Sequence, residues 1–347
     1  MGERLAGSQK VRGSNPLSST SIETMAAAEA TRGEQAWLNG RVISRTDLSL
    51  PVGDAGFVLG TTVTEQFRTF RGRLFLPEDH GRRLAESLAV VGIASPWSIT
   101  DLLAAATDIA AHNWRLAVYA SDAPPDLAVV MFVTPGDLPA QHAGCGGPPR
   151  GVIHTFPLAC ALWAEAYDHG VSIRSVSVAQ VPEACWPLRA KVRSRLHYHL
   201  ADREAHQAEP GSRAVLAHAD GRISETSTAN IAIVRAGCVT TPPLSDALNG
   251  VSLGNTKRLA ASLGIAWEER SLTATDLAAA DEILLTSTPS CLLPATMFNG
   301  RPVGTGKPGP VFRALLVAWS SLVGIDIAAQ ARRLAADSRR TPPATTR

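Results

Sequence analysis

Two residues of this chain are of types that could share one piece of chemistry. Lys191 stands at the mouth of a helix pattern, in Ala190-Lys191-Val192-Arg193-Ser194-Arg195-Leu196-His197-Tyr198. Glu225 follows the Asp220-Gly221 turn and enters an apolar strand, in Ile223-Ser224-Glu225-Thr226-Ser227-Thr228-Ala229-Asn230. A lysine that sheds its proton near neutrality can condense with a carbonyl carbon. A carboxylate beside a ring nitrogen keeps that ring protonated, so the ring can withdraw electrons from a carbanion. Alone, each residue has a plainer explanation. A lysine opening a helix is ordinarily a solvated charge, and a glutamate after a hairpin is ordinarily on the surface.

Three further stretches suit an anionic ligand. In Asp79-His80-Gly81-Arg82-Arg83-Leu84, adjacent arginines on a helix point in different directions. At most one of them faces inward, offering a planar fork to a phosphate. Asn249-Gly250-Val251-Ser252-Leu253-Gly254 leads into a helix pattern, whose N-terminus exposes unpaired N–H groups and the positive end of the helix dipole. Ser252 serves equally well there as a helix cap. Thr286-Ser287-Thr288-Pro289-Ser290 clusters hydroxyls after a buried-type strand, where a plain turn is the competing explanation. The chain has no Walker-type loop, no dinucleotide-binding glycine fingerprint, no His-Glu-x-x-His and no Gly-x-Ser-x-Gly.

The elements that must position these groups are read from periodicity. Asn39-Gly40 between apolar pairs signals a hairpin. The glycine-rich turn from Val52 to Gly60 leads into a strand over Val63 to Phe70, and Arg71-Gly72-Arg73 turns into Leu74-Phe75-Leu76. Leu84, Leu88 and Val91 recur at helical spacing between Pro77 and Gly92. A second helix is expected over Ile99 to Ala111, with strands over Arg115 to Ala120 and Leu127 to Thr134. Residues 136–150, dense in glycine and proline, read as an interdomain linker. Beyond it, strands are expected at Val152 to Phe156 and Val171 to Val178, then a helix from Lys191 to about Gln207. The hairpin Ala214 to Ser227, a strand over Ile231 to Arg235 and a helix over Gly254 to Leu263 follow. Strands over Ile283 to Thr286 and Leu292 to Met297 and a last helix over Phe312 to Val323 complete the pattern.

The expected domains are a disordered tail over 1–35, a small α+β domain over 36–135, the linker, a large domain over 151–330 and a polar tail over 331–347. Met25 is a candidate true start. At 347 residues and 45% hydrophobic content, the chain can bury two cores. A net charge of +2, with no basic block, gives nucleic acid nothing to bind. Five scattered cysteines, with no Cys-x-x-Cys pair, suit a reducing cytoplasm and indicate neither a zinc site nor a disulfide framework. No apolar run is long enough to span a bilayer, so no membrane partner is expected.

In their order, these stretches resemble the class IV aminotransferases, the fold-type IV pyridoxal phosphate enzymes. That family includes branched-chain aminotransferases, D-amino-acid aminotransferases and aminodeoxychorismate lyases. The likeness spans Trp37 to Leu322 and rests on Leu38-Asn39-Gly40, Asp54-x-Gly56-Phe57-x-x-Gly60, Glu65-x-x-Arg68, His80-x-x-Arg83-Leu84 and Lys191. It continues in Glu225-x-Ser227-x-x-Asn230, Thr241-Pro242-Pro243, Gly250-Val251-Ser252, Ala280-Asp281-Glu282, Thr286-Ser287-Thr288 and Gly300-Arg301-Pro302-Val303-Gly304. The resemblance implies a small α+β domain joined to a larger one with a barrel-like sheet flanked by helices. The cofactor, pyridoxal 5'-phosphate, would lie between them.

By the same resemblance Lys191 is the Schiff-base lysine, Glu225 the partner of the pyridine nitrogen, and Arg83 the phosphate-binding arginine. Val251, Ser252 and Thr288 match the other phosphate contacts, Glu65 and Arg68 lie where substrate walls are expected, and Tyr198 is a further candidate for substrate contact. Branched-chain enzymes carry an Asn-Tyr pair shortly after the lysine, where this chain has Arg195-Leu196, with Tyr198 two places later. Tyr198 and Arg195 are thus the candidates for the cofactor's O3' contact. The implied activity moves an amino group between an amino acid and a 2-oxo acid, in a homodimer. A pyruvate-releasing lyase of the aminodeoxychorismate type and a catalytically idle relative with a binding role are the alternatives.

Overall fold

The computed structural model describes residues 33–120 and 125–340. In chain order the strands are β1 (Gln35–Leu38), β2 (Arg41–Ser44), β3 (Val63–Phe70), β4 (Arg73–Leu74), β5 (Leu127–Thr134), β6 (Arg150–Pro157), β7 (Val171–Ser175) and β8 (Arg213–Ala217). They continue as β9 (Ile223–Thr226), β10 (Asn230–Arg235), β11 (Cys238–Thr241), β12 (Trp267–Glu269), β13 (Glu282–Ser287), β14 (Cys291–Phe298) and β15 (Arg301–Pro302). The helices are α1 (Ala55–Val58), α2 (Pro77–Val91), α3 (Ile99–Ala120), α4 (Ala166–His169), α5 (Leu196–Ala208), α6 (Val251–Ser262), α7 (Ala274–Ala278), α8 (Pro310–Val323) and α9 (Ile327–Arg340).

The first sheet runs β2-β1-β6-β5-β3-β4. On β3, Val63, Glu65 and Phe67 are fully buried, and α2 and α3 cover this face. Strand alternation puts Thr64, Gln66 and Arg68 on the opposite face. Helix α2 buries His80, Arg83, Leu84, Ser87 and Leu88, a stripe at helical spacing. Its apolar members join Val63, Phe67, Met131 and Ile153 in one core.

The second sheet closes on itself. Strands β10-β13-β14-β7-β8-β9 form a ring because β9 pairs back onto β10 at Glu225↔Asn230. This six-stranded barrel, flanked by α5, α6 and α8, matches the barrel-like sheet expected for the larger domain. Its core is built from Ile223, Ile231, Ile233, Leu284, Leu292, Phe312 and Trp319. The seam that closes it carries Glu225 itself.

Four expectations are corrected. Residues 136–150 are not a linker. They connect β5 to β6, which pair along their whole length, and β6 also pairs β1. The first domain therefore extends to Pro157, and the crossover lies where Leu158 and Cys160 enter the larger core. Glycine and proline mark hairpin loops as strongly as linkers. Residues 115–120 belong to the single helix α3 rather than to a strand. The helix after Lys191 begins at Leu196, and Lys191 itself lies in extended chain bridged to β3 at Val63↔Val192.

The chain also does not become a tail at 331. Helix α9 buries Ile327, Ala331, Leu334 and Ala335 along one stripe, which accounts for its order. The expected disorder over 1–32, the candidate start at Met25 and residues 341–347 lie outside the described residues.

The motif Asp54-x-Gly56 proves to be a loop pin. Buried Asp54 accepts from the backbone N–H of Gly56 at 2.8 Å, from the Thr134 hydroxyl at 2.8 Å and from Arg150 Nη1 at 2.8 Å. A Cβ on Gly56 would lie 2.5 Å from Thr62 Oγ1 and 2.7 Å from Thr134. Gly56→Ala is therefore expected to cost about 1–3 kcal/mol in overpacking, read as a lower midpoint in urea denaturation; an unchanged midpoint would show that the loop yields freely.

Candidate active site

One cavity lies where β3 and the α2 end of the small domain face the barrel seam. It is lined by Gln66, Arg83, Lys191, Arg195, Tyr198, Glu225, Thr226 to Asn230, Leu248, Gly250 to Ser252 and Thr286 to Pro289. Lys191, Glu225, Arg83, Val251, Ser252, Thr288 and Tyr198 are thus brought together from five separate stretches.

Lys191 is held by its backbone. Its N–H donates to Ser87 Oγ at 3.0 Å, its carbonyl accepts from Thr64 N–H at 3.0 Å, and Arg193 N–H donates to Thr62 O at 2.9 Å. The segment behaves as a short extra strand beside β3, so Val192 turns into the small-domain core while Lys191 turns into the cavity. Burial lowers the lysine's pKa to about 8, with the Arg83 charge adding to the shift and Glu65 opposing it. At neutral pH a useful fraction of this amine is already free of its proton.

Glu225 sits buried on β9. Its Oε1 accepts from the Tyr198 hydroxyl at 2.7 Å, and its Oε2 accepts from Asn230 Nδ2 at 3.2 Å and from Leu248 N–H at 3.4 Å. Burial pushes its pKa up, although these donors and the Arg195 and Lys191 charges pull the other way. A buried carboxylate with neutral donors and no ion pair of its own leaves a place for a cationic N–H from the cavity. Arg195 donates to Ser227 O and its guanidinium stacks 4.5 Å from the Tyr198 ring centroid.

Arg83 is the inward arginine, 5% exposed, whereas the side chain of Arg82 is 68% exposed beside Asp79. Its Nε and Nη2 donate to the two Glu65 oxygens, each at 2.8 Å, and its Nη1 donates to Asn249 O at 2.9 Å. The last bond ties α2 to the turn that opens α6. Gly250 caps α6 without any side-chain hydrogen bond, so the first N–H groups of that helix face the cavity unclaimed by a cap. A Cβ on Gly250 would stand in contact with Asn230 Oδ1, so this close approach of turn to seam requires glycine. Across the cavity Thr286 Oγ1 is buried with no hydrogen-bond partner. The two Arg83 N–H groups not taken by Glu65 and Asn249, a bare helix N-terminus, Ser252, Thr288 and an orphaned hydroxyl form an anion cradle.

Glu65 and Arg68, expected to wall the substrate, are not among the residues lining this cavity. Glu65 lies behind the cavity, fully buried, where it also meets His80 Nδ1 at 2.7 Å. A carboxylate can only accept, so His80 donates from Nδ1. Burial alone would raise the Glu65 pKa, but Arg83 and His80 together hold it far below the usual carboxylate range. Arg68 shares the sheet face of Gln66 but is drawn away from the cavity. It donates to Pro289 O at 2.9 Å, Cys291 Sγ at 3.2 Å and Gln330 Oε1 at 3.0 Å. Gln66 and the gripping role of Asn230 were missed in the sequence, whereas Thr286 stood in a stretch expected to suit an anion without being singled out. The alternation of β3 around Glu65 was the signal for Gln66.

The family model for amino-transferases of class IV matches residues 62–298, and the chain belongs to that family. It is 28% identical over 288 residues to the D-alanine aminotransferase of Bacillus licheniformis, covering 82% of this chain and 95% of the relative. It is 26% identical over 302 residues to the branched-chain-amino-acid aminotransferase of Escherichia coli strain K12, covering 84% and 93%. Among solved structures, the branched-chain aminotransferase of Thermoproteus uzoniensis with norvaline superposes with a TM-score of 0.73 at 26% identity, covering 84% of this chain and 95% of that one. The chain is thus an enzyme of amino-group transfer, and nothing in these likenesses favours the lyase. Among the described residues no single helix is long and apolar enough to cross a membrane, and no group of three or more His, Cys, Asp or Glu side chains could hold a metal ion.

Proposed function

We propose that this enzyme uses pyridoxal 5'-phosphate, held through Lys191, to move an amino group from an amino acid to a 2-oxo acid. The observation that carries the reading is Lys191, a lysine with a lowered pKa, facing the same cavity as the uncompensated carboxylate of Glu225. The cofactor, when bound, supplies an aldehyde carbon for the amine and a protonatable ring that stabilises negative charge at the substrate's α-carbon.

The remaining work belongs to the chain. Arg83, Ser252, Thr288 and the opening N–H groups of α6 hold the phosphate. Glu225, fixed by Tyr198, Asn230 and Leu248, accepts from the ring N–H and keeps the ring charged. With its Nζ free, Lys191 would serve as the base that takes the proton from the substrate's α-carbon and as the acid that gives it back. Its Nζ can do both because its proton affinity lies close to neutrality. Two copies of the chain, in the cytoplasm, form the working unit.

Two tests follow from the geometry. Incubating the cofactor-free protein with pyridoxal 5'-phosphate and trapping the link with borohydride at a series of pH values is expected to give incorporation that rises with pH. Only the neutral amine reacts, so the midpoint lies at about 8 rather than at the 10.5 of an ordinary lysine. A midpoint above 10 would mean that the site does not activate this lysine. Second, Gly250→Ala is expected to weaken cofactor affinity by about tenfold or more, equivalent to ~1.4 kcal/mol or more, because the new methyl displaces either the Asn230 side chain or the cradle. Equilibrium dialysis of the cofactor measures it, and an unchanged constant counts against the cradle.

A further inference from the structure

We infer that Arg193 is the residue that anchors the carboxylate of the amino-acid and 2-oxo-acid substrates. The inference rests on the transaminase reading above and concerns a side chain that the family motifs leave unassigned.

Backbone geometry places Arg193. The antiparallel bridge Val63↔Val192, with Thr64 N–H donating to Lys191 O and Arg193 N–H to Thr62 O, makes residues 191–193 a strand in register with β3. Side chains two apart on a strand share a face, so Arg193 projects to the side of Lys191. Phe132, opposite Thr64, and Val130, opposite Gln66, lie on that same face of the sheet. The Arg193 guanidinium lies 5.5 Å from the Phe132 ring centroid, beside the wall that runs from Gln66 in the cavity toward the open edge.

Charge makes the case for an anion. The cavity is lined by three cations, Arg83, Lys191 and Arg195, and by one carboxylate, Glu225. Arg83 is taken by Glu65, Asn249 and, on the reading above, the cofactor phosphate, and Arg195 by Ser227 and the Tyr198 ring. Among the described residues Arg193 has neither an ion pair nor a hydrogen bond from its guanidinium. None of its five donors is taken by another described residue. The same wall carries His154, opposite Val130, whose Nδ1 is buried without a partner. Burial, with the Arg45 and Arg193 charges, drives the His154 pKa down to about 4, so this imidazole is a neutral hydrogen-bonding group in a positive field. A planar fork over an aromatic ring, near an activated lysine and facing no protein acid, is matched to a planar carboxylate.

The test uses the cofactor-loaded enzyme and two unreactive carboxylates, propionate and glutarate, titrated by calorimetry. In Arg193→Gln both are expected to bind about 10- to 100-fold more weakly, with KM for amino acids rising in parallel and kcat changing far less. Arg193→Lys keeps the charge but loses the fork, and is expected to recover part of the loss. Arg235→Gln, an exposed arginine at the end of β10, is expected to change nothing. Carboxylate affinities of Arg193→Gln within about twofold of the parent, or no measurable binding to the parent, overturn the assignment. Absence of a borohydride-sensitive visible band in the parent protein overturns the cofactor reading beneath it, so the two failures are distinct.

Discussion

Lys191→Ala is expected to lower turnover by about 10⁴-fold or more, the upper range for removing a positioned acid–base group, and to remove the covalent anchor as well. The loss falls on kcat, because the cradle of Arg83, Ser252 and the α6 N-terminus is untouched and still holds the phosphate. The cofactor should therefore bind non-covalently, and borohydride should fix none of it to the chain. Folding is expected to survive. The site already disfavours the charged form of this lysine, and the main-chain bonds of residue 191 to Ser87 and Thr64 need no side chain. Near-normal transamination in this variant, with native circular dichroism, would remove Lys191 from the mechanism. Collapse of the fold would instead assign it a structural part.

What the sequence made legible follows from the kind of signal each residue carries. Lys191, Arg83, Glu225, Val251, Ser252 and Thr288 could be named because each sits in a short motif whose order along the chain is distinctive. The structure places all six around one cavity. That at most one of Arg82 and Arg83 faces inward was legible from helix geometry; that it is Arg83 was read from the family motif, in which the arginine directly precedes Leu84. The fates of Glu65 and Arg68 were not legible. Both are charged residues on a strand beside the site, and only the packing of α2 behind β3 shows that Glu65 belongs to Arg83.

Boundaries failed where local composition had two physical meanings. The apolar stretch ending in Val118, Tyr119 and Ala120 fits strand or helix equally by residue type; it is helical because α3 continues from Ile99 across β1, β5 and β6. The Gly/Pro-rich segment after Pro135 turns the chain back on the same sheet, an outcome set by the β5–β6 pairing rather than by the turn residues. Helix α9 was hidden by its arginines, although Ile327, Ala331, Leu334 and Ala335 fall on one face.

The second large effect is expected at Glu65, a residue that touches no ligand. Glu65→Gln leaves the Arg83 guanidinium buried with its main counter-charge gone and, in either amide orientation, sets an NH2 donor against an Arg83 N–H. Breaking one side of a buried pair costs about 3–5 kcal/mol, a large share of a typical stability of about 5–15 kcal/mol, so the melting temperature should fall by several degrees or more. The pH dependence identifies the cause. The folded-state pKa of Glu65 is depressed, so its contribution is fully present above the unfolded value of 4.5 and is lost as pH falls through the folded value. The stability gap between parent and variant should therefore be level from pH 7 to pH 5 and narrow only below about 4.5. A gap that instead closes between pH 8 and 6 would point to histidine titration and not to this carboxylate. Because Arg83 also bonds Asn249 at the turn before α6, the same substitution should weaken cofactor binding without altering the pH midpoint of Lys191 trapping by more than the small charge effect of Glu65. A variant as stable as the parent would mean that water reaches Arg83 and replaces the carboxylate. The buried pair would then be no part of what holds the small domain against the barrel.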